Sequence, residues 1–145
     1  MRLTSYTDFT LRTLMYLAVN PERPTTIAEI ARTYGISETH VMKIVHQAGI
    51  AGDIETLRGK GGGIRLGRPA AAINLGRVIR RTEPDMDLVV CFADSATCII
   101  GPACVLQSVL HDALRAFLAV LDAYSLADLV KPKNNLAGLL GIAAA

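Results

Sequence analysis

Between Ile54 and Leu66 two short alternating segments, Ile54-Glu55-Thr56-Leu57-Arg58 and Ile64-Arg65-Leu66, enclose Gly59-Lys60-Gly61-Gly62-Gly63. Alternation with a period of two marks strands, and a glycine-rich joint between two of them marks a β-hairpin. Glycine permits positive φ and lets a backbone approach another surface closely. The tip is therefore flat, poor in side chains and ringed by Arg58, Lys60, Arg65 and Arg68. A phosphate loop of a nucleotide enzyme needs other spacings. Gly59-Lys60 is followed by glycine rather than Ser or Thr, and Ile64 stands where a dinucleotide fingerprint requires its last glycine.

What precedes the hairpin is helical. Leu11, Leu14, Met15 and Ala18 recur at helical spacing over Thr7 to Val19, and the Pro21 and Pro24 region ends that helix. Thr26 with Glu29 forms a capping-box pattern opening a second helix, which stops at Tyr34-Gly35. Ser37 is a good N-cap for a third helix, Glu38 to about Ile50. Its buried stripe is Val41, Ile44, Val45 and Ala48, which leaves Thr39, His40, Lys43, His46 and Gln47 mostly outside. Two short helices joined by a tight glycine turn match a helix-turn-helix, and the basic hairpin that follows is its wing. A plain helical hairpin with a solvated face would lack that wing. Ser37, Thr39, His40 and Lys43 are the candidate DNA contacts of the third helix; Arg58, Lys60, Gly61, Gly62 and Arg65 are those of the wing.

Charge follows the same division. Residues 1–81 carry twelve basic against six acidic residues, net +6, whereas 82–145 carry three against seven, net −4. No acid occurs from Arg58 through Arg81. The first part suits a polyanion and the second does not. With 51% hydrophobic residues, 5% aromatics and no Trp, the core is aliphatic, which favours helices packed on helices. The fold class is mainly α with a small β-hairpin wing: a winged helix-turn-helix plus a long dimerisation helix.

Past the wing, Asn74 can cap a helix from Leu75 to Arg81, ending at Glu83-Pro84. A long helix begins near Pro102 or Ala103. Leu106, Leu110, Ala113, Phe117 and Leu121 line one stripe, with Val105, Val109, Leu118 and Val120 apolar outside it. A helix this apolar on several faces has another surface to cover, and a second copy of the chain is the natural one. A short capped helix follows over Ser125–Val130. The expected organisation is a DNA-binding domain over 1–81, a cysteine-bearing loop over 82–104, the dimerisation and short C-terminal helices over 105–130, and a flexible tail over 131–145. No secretory signal is visible, and the apolar stretch Leu136–Ala145 is half the ~20 residues of a membrane span. The expectation is a cytoplasmic protein without membrane contact. No nucleophile–base constellation appears, so an enzyme is not expected.

All three cysteines, Cys91, Cys98 and Cys104, lie within fourteen positions. No C-x-x-C occurs, which disfavours a zinc knuckle, and an odd count disfavours a disulfide framework. The spacing leaves two readings open: three ordinary half-buried thiols, or three soft donors for an iron–sulfur cluster completed by a non-cysteine ligand.

The chain resembles the bacterial family of iron–sulfur winged-helix transcription regulators. The matching stretches are Met1-Arg2-Leu3-Thr4-Ser5-Tyr6-Thr7-Asp8-Phe9, His40-Val41-Met42-Lys43-Ile44-Val45, Arg58 through Leu66, Glu83-Pro84, Gly101-Pro102-Ala103-Cys104, Phe117 through Asp122 and Ser125 through Val130. The last group and Asp8 are more similar to the nitric-oxide-sensing repressors of that family than to its regulators of iron–sulfur status. The resemblance implies a homodimer on a palindromic double-stranded operator, with one cluster per subunit. The cluster is 4Fe–4S in the first instance, with 2Fe–2S as the alternative. Its ligands are implied to be Cys91, Cys98, Cys104 and Asp8 from the other subunit. Reaction with nitric oxide then releases the DNA. The alternative functions are a regulator of the same family answering to iron–sulfur status or redox, and an electron-transfer iron–sulfur protein.

Asp8 also suits the first turn of a helix simply as a negative charge. The histidine that the iron–sulfur-status branch places three positions after the third cysteine is here Gln107, with His111 one turn further on. Two departures stand out. Ile50 replaces an expected basic residue, and Asp53 stands where an apolar or aromatic residue begins the wing, so that weakened packing or escape to solvent is expected there.

Overall fold

The computed structural model describes residues 2–94 and 98–142. Residues 95–97 of the expected cysteine loop, Met1, and residues 143–145 of the expected tail lie outside them.

Local signals account for the first three helices. Thr4 caps α1 (Ser5–Val19), its hydroxyl accepting from the Thr7 N–H. Thr26 and Glu29 form the expected capping box at the head of α2 (Ile27–Tyr34). Gly35 ends α2 at φ 64°, a left-handed turn that costs glycine little. The Ser37 hydroxyl accepts from the His40 N–H to open α3 (Glu38–Ile50). Leu14 and Leu17 of α1, Ile30 of α2, and Val41, Val45 and Ala48 of α3 meet in one buried core.

The wing is antiparallel. β1 (Ile54–Leu57) pairs with β2 (Gly63–Leu66) in the register Ile54↔Leu66 to Leu57↔Gly63. Ile54 and Ile64 send their side chains into the helical core. Thr25, between α1 and α2, exchanges two backbone hydrogen bonds with Ile64, at 2.9 and 2.8 Å. This fixes the wing's root to the helix-turn-helix while leaving its tip in solvent.

Asn74 caps α4 (Leu75–Thr82), accepting from the Arg77 N–H. α5 is a single turn, Val90–Ala93, and a 3₁₀ turn over Gly101–Ala103 leads into α6 (Val105–Asp122). The expected stripe on α6 is not buried within one chain. Leu110, Phe117 and Leu121 are half-buried, whereas Leu106, Val105, Val109 and Val120 are exposed. The C-terminal end of α6 is joined to α4 through a two-pronged ion pair, Arg80 Nη1 and Nη2 each 2.6 Å from an Asp122 oxygen.

After α7 (Leu126–Leu129), the stretch expected to be a loose tail forms a further helix, α8 (Lys133–Leu139). Gly141 adopts φ 66°, its N–H donating to Gly138 and the Ile142 N–H to Ala137. This double closure satisfies the orphan carbonyls of a helix end. It turns Leu140 and Ile142 onto the core, and their burial corrects the expectation of a loose tail.

Candidate DNA interface and cysteine site

Residues opposite the buried stripe of α3, at 100° per residue, are Thr39, Lys43, His46 and Ile50, and all four are exposed. Thr39 and Lys43, two of the candidate DNA contacts, thus lie on the exposed face of α3. Lys43 Nζ lies 5.6 Å from the centre of the Tyr6 ring, a cation–π contact that leaves it exposed. Ser37 is exposed, but its oxygen serves the helix cap.

His40 sits on the flank of α3 that faces α1. Its ring stacks nearly parallel on Tyr6, at 6.2 Å and 5°, and meets Phe9 edge-on at 5.5 Å. The imidazole therefore fastens the recognition helix to α1. His46 lies on the exposed face instead, a distinction between the two histidines that the helical period alone makes.

On the wing, Arg58, Lys60 and Gly61 are exposed and Gly62 is half-buried. Gly59 and Gly61 take φ 94° and 78°, so the tip uses the freedom its glycines supply. Arg65 is exposed and pairs with Glu55 directly across the hairpin.

Asp53 corrects an expectation. It neither loosens the wing nor reaches solvent: it is 4% exposed. Its carboxylate takes Arg81 Nη2 at 2.6 Å and Arg68 Nε at 3.3 Å. Arg68 also donates to the Gly52 carbonyl at 3.0 Å and the Ala51 carbonyl at 2.5 Å. One buried carboxylate thus ties the end of α3, the exit of the wing and the end of α4 together.

The cysteines are spread over the segment that leads into α6, with Cys91 on α5, Cys98 before the 3₁₀ turn and Cys104 at the start of α6. Cys104 is the N-cap residue of α6, yet its side chain makes no capping bond. The Gly101 N–H donates to the Cys98 carbonyl at 2.9 Å and the Cys104 N–H to the Gly101 carbonyl at 3.2 Å, so two successive turns connect Cys98 to Cys104. Gln107 Nε2 donates to the Cys91 carbonyl at 3.3 Å, holding α5 to the first turn of α6. The His111 ring stacks on Phe92, centroids 3.9 Å apart, and so braces the same segment. All three thiols are free and half-buried. Among the described residues no three His, Cys, Asp or Glu side chains are grouped as a single-ion site. The donor chemistry, three free soft thiols on the segment leading into α6, fits an iron–sulfur cluster. Asp8 lies on the first turn of α1 beside Arg12, whose Nε is 3.0 Å from its carboxylate.

Comparison with known proteins decides the family. The Rrf2 family, described as "Iron-dependent Transcriptional regulator", matches residues 3–132. The chain belongs to the Rrf2 family. Rrf2 relatives include the HTH-type transcriptional regulator NsrR of Bacillus subtilis (strain 168), 51% identical over 144 residues and 97% of each chain. NsrR of Geobacillus kaustophilus is 49% identical over 142 residues, again 97% of each. Among solved structures, IscR of T. potens superposes with a TM-score of 0.74 at 24% identity, over 91% of this chain and 88% of that one. CymR, the global cysteine regulator of B. subtilis, has a TM-score of 0.72 at 27% identity, over 89% and 95%. The winged-helix architecture read from the sequence is thus that of the Rrf2 regulators, and the chain is a DNA-binding transcription regulator rather than an enzyme. Among the described residues no helix is long and apolar enough to cross a membrane.

Proposed function

We propose that this Rrf2 regulator is a cytoplasmic, homodimeric iron–sulfur repressor that releases its operator in response to nitric oxide. The observation that carries the cluster reading is the set of three free, half-buried thiols on the segment from α5 to the start of α6. It is supported by relatives named NsrR that match over 97% of the chain. Nitric oxide as the signal rests on the sequence resemblance, above all on Asp8 and on the Phe117–Asp122 and Ser125–Val130 stretches.

Cys91, Cys98 and Cys104 would hold the cluster, and Asp8 of the second subunit would complete it. The cluster, when bound, would supply iron with affinity for nitric oxide. The exposed apolar residues Val105, Leu106 and Val109 on α6 would be covered by the same helix of the other subunit. A two-fold dimer sets two α3 helices into successive major grooves of a palindrome, about 34 Å apart, with both wings on the flanking backbone or minor groove. Losing the hold of Asp8 on the other subunit frees α1, and α1 carries the Tyr6 and Phe9 rings that seat α3. The half-site spacing then changes and the DNA is released.

The test is anaerobic reconstitution of wild type, Cys98→Ala, Asp8→Ala and Asp112→Ala. Cys98→Ala should abolish the cluster's visible absorbance, Asp8→Ala should shift or destabilise it, and the exposed control Asp112→Ala should match wild type. An unchanged spectrum in Cys98→Ala would refute the ligand set.

A further inference from the structure

On α3 a large apolar side chain stands in water among exposed polar ones. Met42 is 50% exposed in the first half of the helix, flanked by exposed Thr39 and His46, three positions before and four after it. The N-terminal half of a recognition helix is the part that reaches base edges. In that half the Ser37 oxygen caps the helix, His40 is stacked on Tyr6 and Phe9, and Lys43 lies over the Tyr6 ring. Thr39, Met42 and Lys43 are exposed side chains of that half, and Met42 is the apolar one. A thioether is a poor hydrogen-bonding group, whereas the major groove offers one apolar feature, the C5-methyl of thymine. The flexible methionine chain can follow that methyl without a fixed shape.

We infer that Met42 is a specificity-determining residue that reads a thymine methyl in each operator half-site. This rests on the DNA-binding reading above. Burying one methyl against an apolar side chain corresponds to about fourfold in affinity.

The experiment first selects an operator from a random duplex library with the full-length, anaerobically reconstituted protein. Each thymine is then replaced singly by deoxyuridine, which removes only the methyl, and binding is followed by fluorescence anisotropy. Wild type should lose about fourfold at one thymine per half-site. Met42→Ala should bind thymine and uracil duplexes equally well, and Met42→Leu should restore the discrimination. Thermal unfolding of both variants should match wild type, because the side chain is half in water. A selected operator with no uracil-sensitive position, or Met42→Ala discriminating as wild type does, would overturn this inference alone. A library yielding no shared sequence would overturn the DNA-binding reading and this inference with it.

Discussion

Glu83 Oε1 accepts two hydrogen bonds from Thr4, one from its backbone N–H at 2.9 Å and one from its hydroxyl at 3.0 Å. Thr4 is the N-cap of α1 and Glu83 follows the last residue of α4. The pair therefore joins the helix that bears Asp8 to the start of the cysteine segment. Beside it the Thr7 hydroxyl donates to that of Thr82 at 2.8 Å. Burial pushes the Glu83 carboxyl up, but the hydrogen bonds it accepts, those from the Thr4 N–H and hydroxyl among them, outweigh it and hold the group below its ordinary value. Glu83→Ala should lower stability by about 1.5 kcal/mol, the low end of what hydrogen bonds to a charged group contribute, because the pair is only part-buried. Glu83→Gln should cost less, since its amide oxygen still accepts. Urea unfolding of both variants checks the order; equal losses would show that the oxygen is not the determinant.

The buried Asp53 carboxylate leads to a larger effect. Asp53→Ala leaves two guanidinium groups without their shared partner, and removing one member of a buried pair costs about 3–5 kcal/mol. Both arginines are about a third exposed and can rehydrate, so about 2 kcal/mol is expected here. Denaturant midpoints of Asp53→Ala and Asp53→Asn should both fall. A neutral Asp53→Ala would show that the cluster contributes nothing to the fold.

His40 and His46 should separate stability from binding. His40→Ala removes two ring contacts and should cost about 1 kcal/mol in thermal stability. His46→Ala should leave the melting temperature unchanged and weaken operator binding. The opposite pattern would place His40, not His46, in the groove.

Stability should also carry an acid signature from Glu29. Its hydrogen bond to Arg23, followed by those from the Thr26 N–H and hydroxyl, holds the carboxyl at about 2 against an ordinary 4.5. A depressed folded value means that the contribution is complete above about pH 4.5 and is lost as pH falls toward 2. Arg23 is largely exposed, so at neutral pH the effect is about 1 kcal/mol or less. The stability gap between wild type and Glu29→Gln should shrink from pH 6 to pH 3. A constant gap would contradict the assignment.

What was legible in the sequence was local. The Thr26–Glu29 box, the Gly35 turn, the Ser37 cap and the glycine tip are each fixed by residues a few positions apart, and the structure reproduces them. Two features were hidden because they depend on distant partners. Asp53 reads as a misfit until Arg68 and Arg81, from two later elements, converge on it. His40 reads as a surface group until Tyr6 and Phe9 of α1 cover its ring. The α8 helix had a local sign in Gly141, but its purpose is tertiary: docking Leu140 and Ile142 on the core. The cysteines were legible as donors, while the surface that unites them with Asp8 would belong to a second copy of the chain.

The most direct test of the switch is a titration of anaerobically reconstituted protein, bound to a fluorescent operator duplex, with nitric oxide. Cluster absorbance and DNA anisotropy are read in the same cuvette. The account predicts that both fall together, with the same stoichiometry per cluster. DNA that stays bound after the absorbance is lost, or that leaves before it changes, would contradict it.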